Sequence, residues 1–275
     1  MSAKLRSRLY RAAVYAGAIF TMAVLVMIVG YILIKGIPHL SLDLFAWEYN
    51  SDNVSMMPAI INTLLMTVLS LLVCLPLGIG AAIYLTEYAR RGSRLVKLVR
   101  MTAETLSGIP SIIYGLFGSL FFVVTLKMGM SLLAGALTLS VMVLPTIMRT
   151  TEEALLAVPD SYREGSFGLG AGRLRTTFKV VLPSALPGIL SGVILAIGRI
   201  VGETAALIYT AGTVAKVPES LFSSTRTLAV HMYAISTEGL YVDQSYATAV
   251  VLLVLVMAIN ALSSFIVKKI GRKNA

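Results

Sequence analysis

Charged residues are scarce in this 275-residue chain: Asp, Glu, Lys and Arg make up 13% of it, whereas hydrophobic residues make up 57%. Soluble proteins have about a quarter charged residues. A single soluble core of this size could not hide so much apolar surface. The low charge therefore predicts a membrane protein.

Cysteine and histidine are almost absent. A single cysteine, Cys74, excludes an intramolecular disulfide and a cysteine metal cluster, and we expect it to be a small buried hydrophobe. The two histidines, His39 and His231, lie far apart in sequence without the spacing of metal ligands. We therefore predict neither a metal site nor catalytic residues.

The sequence also lacks a nucleotide-binding loop. No Gly-x4-Gly-Lys-Ser/Thr pattern occurs, and the nearest approach, "GLGAGR" at residues 168–173, lacks both the lysine and a preceding strand. We expect the chain to bind no cofactor itself. If the protein uses ATP, the ATP and its Mg²⁺ must be bound by another chain.

Long apolar stretches are abundant, and six are long enough to cross a bilayer, which takes about 20 residues. They are residues 12–34, 59–85, 102–126, 131–149, 186–211 and 245–267. The first is too long for a signal peptide and lacks a small-residue cleavage site, so we expect it to be retained. The pattern predicts an all-α membrane protein with six transmembrane helices. Residues 1–275 would form one transmembrane domain with its core helices in 59–267.

The basic residues predict the orientation of these helices. Eighteen of the 23 Lys and Arg residues fall on one side of the six spans and four on the other, and Arg199 lies inside a span. Because cytoplasmic loops are enriched in Lys and Arg, we expect both termini to be cytoplasmic. The net charge of +10 then reflects topology and contact with anionic membrane lipid rather than nucleic-acid binding.

The long basic-side loop, residues 150–185, should have structure of its own or a partner. Asp160 is a candidate N-cap for a short helix, and Gly168, Gly170 and Gly172 allow a sharp turn after it. A short helix, a glycine turn and a second helix beneath a membrane bundle indicate a docking element. A solvated amphipathic loop is the alternative.

Part of this loop resembles a known motif, the EAA loop of permease subunits in binding-protein-dependent ABC importers. That motif reads Glu, two small residues, three variable, Gly, nine variable, Ile, one variable, Leu-Pro. The residues at matching positions are Glu164, Gly165, Ser166, Gly170, Val180, Leu182 and Pro183. The departures from the motif are conservative, with Gly and Ser in place of two alanines and Val in place of Ile.

Longer stretches resemble the permease subunits of phosphate ABC importers. "LSGIPSIIYGLFG" (residues 106–118) and "GETAALIYTAG" (residues 202–212) are examples, and the second is more similar to the A-type (PstA) subunit than to its C-type partner. The resemblance covers about residues 58–270, whereas the first span and the loop 35–57 match only loosely. It implies the MetI-like fold of type I importer permeases.

The resemblance also implies partners and a location. The chain would pair with a homologous C-type permease subunit, stand on a dimer of ATPase subunits and receive phosphate from an extracytoplasmic binding protein. It would lie in the plasma (inner) membrane of a bacterium or archaeon. Glu164 would face the ATPase, and Gly170 would permit the turn of a coupling helix that transmits rigid-body motion. The loop 214–244 would offer a docking face to the binding protein.

Two charges, Arg199 and Glu203, interrupt the apolar run of the fifth span. Their spacing predicts one face of one helix, with Arg199 at the midplane. A midplane arginine costs about 2.5–3.5 kcal/mol, so it must face the bundle interior or water. Because a guanidinium grips phosphate oxygens with a planar fork, we hypothesise that Arg199 contacts phosphate in transit. Glu203 would pair with Arg199 while the pathway is empty and would accept a hydrogen bond from a protonated phosphate oxygen in transit. Thr204 would lie in the same pathway. The alternative is that Arg199 and Glu203 form only a structural ion pair.

Other candidates lie in the third and fourth spans. Gly108 and Pro110 predict a helix break that could aim amide dipoles at an anion, although membrane helices also tolerate such residues for packing. Arg149 is either a pathway residue, as the resemblance implies, or a side chain that extends to the headgroups. Arg100 and Glu104 predict an interfacial ion pair.

Competing functions remain open at this point. Another oxyanion, such as phosphonate or molybdate, could be the substrate of the same kind of permease. From other classes, an intramembrane enzyme that acts on lipid phosphates could use the same two charges, and a scaffold or sensor subunit would need neither.

Overall fold

The computed structural model describes residues 3–90 and 92–273. In these residues the chain is helical with connecting loops and no β-strand. The α-helices are α1 (Ala3–Gly36), α2 (Met57–Ile83), α3 (Arg94–Ser107), α4 (Ser111–Gly118), α5 (Leu132–Leu156), α6 (Asp160–Gly168), α7 (Arg173–Thr176), α8 (Leu182–Val201), α9 (Ala205–Thr210), α10 (Leu228–Glu238) and α11 (Val242–Lys273).

Five long apolar helices could cross a membrane, and a sixth crossing requires the bent pair α3 and α4. This agrees with six predicted spans, but the third predicted span is not one straight helix. Arg94–Ser107 and Ser111–Thr125 meet at an angle of 103°. The bend follows from Pro110, which has no N–H to donate and disfavours helical backbone in the residue before it.

The boundaries of the fourth and fifth spans also differ from the prediction. Helix α5 continues past residue 149 to Leu156, and a further helix runs without a break from Arg173 through one π turn to Val201. The fifth span therefore ends at Val201 instead of residue 211, and its last part is the separate helix α9. Only residues 157–172 of the predicted loop 150–185 lie outside these long helices.

Helix α5 is the centre of the bundle and packs mainly on α2 and α8. Ser131 caps its first turn, where the hydroxyl accepts a hydrogen bond from Ala134 N at 3.2 Å. Its inward side chains, such as Leu139, Met142 and Val143, are fully buried. Because the core is close-packed, contacts with α5 fix the positions of residues on the neighbouring helices along the bundle axis.

Helix α1 lies outside this bundle. It packs on α11, and a Cβ on Gly36 would clash with the Tyr246 carbonyl. Most of its other described side chains are exposed, among them Tyr15, Phe20 and Met27. This apolar surface suits lipid or another membrane subunit.

The end of the bundle at the start of α5 is closed by a loop and a helix. Leu132 N donates to Ser223 O, and Thr225 N donates to Ala211 O, both at 3.0 Å. Helix α10 follows and ends at Gly239, whose φ is +73°. The sequence predicted only a docking loop at 214–244, so the fold of this segment is a finding of the structure.

Candidate anion pathway and coupling element

Two helix breaks lie side by side in the bundle, one at residues 108–110 and the other at residues 202–204. The short helices that follow them, α4 and α9, pack backbone to backbone. A Cβ on Gly115 would lie 2.7 Å from Ala206 Cα. Only glycine permits this approach, so the two breaks are held together by close packing.

The first break confirms the predicted interruption at Gly108 and Pro110. Helix α3 ends at Ser107, and α4 begins after Pro110. The Tyr114 hydroxyl donates a 2.7 Å hydrogen bond to the Leu106 carbonyl, which ties α4 to the end of α3. The bend is thus a stabilised part of the fold.

Arg199 lies in the last turn of α8, near the middle of the bundle. Gly188 faces Ala154 and Gly192 faces Thr150 across the α8–α5 contact. The same antiparallel register places Arg199 level with Val143, close to the midpoint of α5. The residue is half-buried.

The Arg199 guanidinium has neither an ion pair nor a side-chain hydrogen bond to another residue in the part of the chain that the structure describes. A half-buried arginine at this depth normally needs a partner or water. Its donors are therefore available to an anion.

Glu203 does not lie on the same helix face as Arg199, and the predicted ion pair between them is wrong for this structure. Helix α8 ends at Val201, and the buried Glu203 carboxylate caps α9, where Oε1 accepts a 3.0 Å hydrogen bond from Ala206 N. The carboxylate satisfies an N–H group that the start of a helix otherwise leaves unpaired. Thr204 lies in the break itself and is half-buried.

Arg149 lines a cavity of about 500 Å³ between α3 and α5. Its Nε donates to Glu153 Oε1 at 2.9 Å, and both side chains are exposed. The cavity extends from Leu156 to Ser107 at the first break. It thus reaches from the end of α5 that precedes α6 to the first helix break.

The predicted ion pair between Arg100 and Glu104 is not formed. Arg100 instead pairs with Glu152 of α5. The bend after α3 lays this helix against α5, so a carboxylate on the neighbouring helix is nearer than the one four residues along. Glu104 lines the same cavity as Arg149.

The predicted docking element on the basic side is a short helix followed by a turn. Helix α6 begins at Asp160, whose carboxylate contacts Arg163 at 3.3 Å and makes no capping hydrogen bond, so its assignment as N-cap was wrong. Gly170 has φ +82°, and Ala171 N donates to Ser166 O at 3.1 Å. The turn therefore requires a residue that adopts left-handed backbone, as predicted for Gly170.

The remaining residues of the EAA pattern separate into two groups. Glu164 and Gly165 lie on the exposed surface of α6, whereas the Ser166 hydroxyl contacts the Thr176 hydroxyl at 2.8 Å and joins α6 to α7. Leu182 and Pro183 begin α8 and are half-buried. The exposed surface of α6 and its turn also carries large apolar side chains, namely Tyr162, Phe167 and Leu169.

Arg163 anchors α6 to the bundle, a role that the sequence did not reveal. Its guanidinium donates to Glu87 Oε1 at 2.7 Å, to the Leu155 carbonyl at 3.0 Å and to the Val158 carbonyl at 2.9 Å. The hydrogen bond to Glu87 raises the pKa of Arg163 above its ordinary value. The only sequence signal was a lone carboxylate, Glu87, at the end of the second span.

Residues 74–275 match the family described as "Binding-protein-dependent transport system inner membrane component". The chain belongs to this family. Its members are membrane permease subunits of ABC importers, a class of transport components distinct from enzymes. This membership removes support from an intramembrane lipid-phosphate enzyme.

Curated relatives agree with this assignment. The chain is 35% identical over 234 residues to a probable ABC transporter permease protein, YqgI, of Bacillus subtilis, covering 80% of this chain and 79% of the relative. It is 40% identical over 182 residues to the phosphate transport system permease protein PstA of Pasteurella multocida, covering 66% and 64%. A PstA homologue of Mycoplasma pneumoniae is 38% identical over 76% of this chain but only 33% of its own length.

Solved structures with the same fold are importer permeases as well. A bacterial alginate ABC transporter, in complex with an alginate-bound periplasmic protein, matches with a TM-score of 0.72 over 97% of this chain and 96% of its own, at 17% identity. The inward-facing MetNI methionine ABC transporter matches with a TM-score of 0.60 over 78% and 93%, at 23% identity. These likenesses establish the MetI-like type I importer fold.

Proposed function

We propose that this chain is the PstA-type permease subunit of an ATP-driven importer of inorganic phosphate and forms half of its translocation pathway. Three observations support this assignment: the names of several relatives, the residues around the second helix break, and the guanidinium of Arg199, whose donors are available to an anion. Phosphate and arginine are complementary because the planar fork of the guanidinium matches two phosphate oxygens.

The observation that carries the proposal is the environment of Arg199. A permanently charged side chain, level with the middle of α5, has no carboxylate within ion-pair distance among the described residues. The cost of such a charge is offset when an anion or water occupies the space beside it. Phosphate in transit would supply the missing charge.

Glu203 has a revised role in this proposal. Its Oε1 is held by Ala206 N, and Oε2 makes no hydrogen bond to the described residues. Oε2 can accept a hydrogen bond from a protonated phosphate oxygen, whereas sulfate carries no proton near neutral pH. We expect this acceptor to favour phosphate, with Thr204 beside it in the pathway.

The cavity between α3 and α5 would form the inner part of the route. It begins at the first break near Ser107 and passes Arg149, which its pairing with Glu153 leaves partly neutralised. A weakly attractive arginine at this position would guide an anion without retaining it.

Coupling would pass through α6. Its exposed residues Glu164 and Gly165 and its apolar side chains would contact an ATPase subunit that binds ATP and Mg²⁺. A homologous C-type permease subunit would complete the pathway, and an extracytoplasmic phosphate-binding protein would dock at the opposite end. This arrangement places both termini in the cytoplasm of a bacterial or archaeal cell.

The test is transport by the complex reconstituted in vesicles with its C-type subunit, ATPase and binding protein. We expect Arg199→Lys to lower phosphate flux at least tenfold because the fork is lost, and Glu203→Gln to lower flux and to reduce discrimination against sulfate. Arg94→Gln, at an exposed position at the start of α3, is the control and should transport normally. Wild-type phosphate flux in both variants would refute the proposal.

Glu203 also has a purely structural alternative. Glu203→Gln keeps an acceptor for Ala206 N, so the α9 cap should survive this substitution. If the variant lowers protein abundance without altering transport per molecule, Glu203 acts only as a cap.

Another oxyanion is the second candidate substrate, since YqgI and YqgH of Bacillus subtilis are named only as probable ABC transporter permeases. The choice can be made by measuring ATP hydrolysis in the reconstituted complex. Stimulation by phosphate-loaded binding protein supports the first proposal. Stimulation by a phosphonate- or molybdate-loaded protein alone supports the second.

A further inference from the structure

A second arginine, Arg226, is buried at the end of the bundle opposite α6. Asn62, in the second turn of α2, donates a 3.1 Å hydrogen bond to the Arg226 carbonyl, whereas Glu87, after the other end of α2, contacts α6. The helix between these two positions is about 37 Å long. Arg226 is therefore well separated from the coupling element.

Among the described residues, the Arg226 side chain finds neither a counter-charge nor hydrogen-bond partners for two of its nitrogens. The residue is 5% exposed, and Nε and Nη2 are fully buried without a hydrogen-bond partner. No carboxylate lies within 4.0 Å of it among residues 3–90 and 92–273. Nε–H and one Nη2–H point the same way and form one edge of the guanidinium, the edge that binds two oxygens side by side.

Aromatic packing holds this guanidinium without satisfying the edge. Arg226 Cζ lies 4.6 Å from the centroid of the Tyr49 ring. This contact stabilises the cation. It supplies no hydrogen-bond acceptor to Nε or Nη2, which still lack partners among the described residues.

Other buried polar groups around Arg226 also lack hydrogen-bond partners among the described residues. His231 is fully buried beside Tyr49, at 6.0 Å between ring centroids, and near the Val54 backbone, and neither ring nitrogen makes a hydrogen bond of good geometry to the described residues. Burial lowers the pKa of His231 to about 3, so the ring is neutral near pH 7 and offers a donor but no charge. Asn62 Oδ1 and the Thr227 hydroxyl are also buried without partners.

A cluster of this kind is stable only when something pairs its donors and its charge. Burying an unpaired polar group is unfavourable, and it is more unfavourable when the group is charged. A water molecule could accept from one N–H, but it would leave the charge uncompensated. An oxyanion accepts from both N–H groups and neutralises the guanidinium at once.

We propose that the Nε–Nη2 edge of Arg226, beside Tyr49 and His231, is a binding site for one small oxyanion, with inorganic phosphate as its occupant during import. The site is distinct from Arg199 and lies at the end of α2 opposite the contact with α6. Its identification with phosphate rests on the proposed function, whereas the oxyanion chemistry rests on Arg226 alone.

Equilibrium dialysis with labelled phosphate tests this site on the full chain in nanodiscs of neutral lipid. Arg199→Met removes the proposed pathway contact. We expect this variant to retain one saturable phosphate site, and the double variant with Arg226→Lys to bind at least tenfold more weakly, because lysine keeps the charge but lacks the fork. Lys216→Met, an exposed cation on the same loop, is the matched control and should leave binding unchanged.

Two outcomes of the dialysis overturn the inference: no saturable binding in Arg199→Met, or binding that survives Arg226→Lys. Chloride that displaces phosphate at equal concentration also overturns it, since a spherical ion does not use the fork. If dialysis shows no phosphate site at Arg226 but Arg199→Lys still lowers transport, the inference fails and the proposed function stands.

A second measurement does not depend on whether Arg226 variants fold. Electron cryomicroscopy of the complex with Arg199→Met in the permease, with and without phosphate, should show density for an oxyanion within hydrogen-bond distance of both Nε and Nη2. Density the size of one water molecule, or no density in either sample, overturns the site.

Discussion

Arg163 in α6 and Glu87 after α2 form an ion pair, with 2.7 Å between Nη2 and Oε1 and side chains only 16% and 8% exposed. Since two carbonyls of residues 155 and 158 also accept from Arg163, the helix has little freedom to move relative to the bundle. A force applied to α6 is therefore transmitted to α2 and α5. This contact is the mechanical link that the proposed coupling needs.

Removal of one partner should break this link. We expect Arg163→Met to destabilise the docking of α6 by about 3 kcal/mol, because the Glu87 carboxylate is left buried without its partner. ATP-driven transport should fall while binding of the solute-loaded binding protein is retained.

The double variant Arg163→Met/Glu87→Met should recover part of the stability, as a double-mutant cycle would show. Arg94→Met, at an exposed position at the start of α3, is the control; equal losses in both arginine variants would contradict the link.

Two glycines, one in α6 and one in the turn after it, should respond differently to replacement by alanine. Gly170 has φ +82°, whereas Gly165 has ordinary helical backbone and open space around it. Gly170→Ala should cost about 1–2 kcal/mol of backbone strain and lower coupled ATP hydrolysis. Gly165→Ala should be neutral or slightly stabilising, since alanine favours a helix. Thermal unfolding and ATPase rates measure both, and equal behaviour of the two variants would argue against a strained turn.

The contact between α4 and α9 should not tolerate one added methyl group. Gly115→Ala would place Cβ 2.7 Å from Ala206 Cα, and a backbone atom cannot rotate away. We expect a cost of about 1–3 kcal/mol and reduced transport, because the two breaks would separate. Gly80→Ala, on α2 with nothing within 4 Å, is the matched control. Unchanged thermal stability in Gly115→Ala would show that the contact is loose.

His231 predicts a pH dependence of stability. Its folded pKa is lowered from 6.5 to about 3, so the unfolded chain binds more protons between these values. The stabilising contribution of the neutral ring is complete above pH 6.5 and is lost as the pH falls. Between pH 6.5 and 5 the loss should be about 2 kcal/mol. Comparison of thermal unfolding at the two pH values in wild type and His231→Gln measures it, and an equal decrease in both would contradict the buried histidine.

Much of this protein follows from local sequence. Six apolar stretches, the glycine turn at Gly170 and the interruption at Gly108 and Pro110 were predicted, because span length, left-handed backbone and a missing N–H are properties of neighbouring residues. The position of Arg199 within an apolar run was predicted as well, but the run is divided by the end of α8 at Val201, and the level of Arg199 in the bundle follows from its register against α5.

The partners of the charged side chains were decided only by the tertiary structure. Glu203 caps α9 instead of pairing with Arg199, and Arg100 pairs with Glu152 instead of Glu104. In both cases a helix ends or bends, and a group from a different segment becomes the nearer partner. Arg163 and Arg226 acquired their environments in the same way, from residues 76 positions away in one case and 164 in the other. Hydrogen bonding and ion pairing depend on distance in space, and packing alone determines which distant segments of the chain meet.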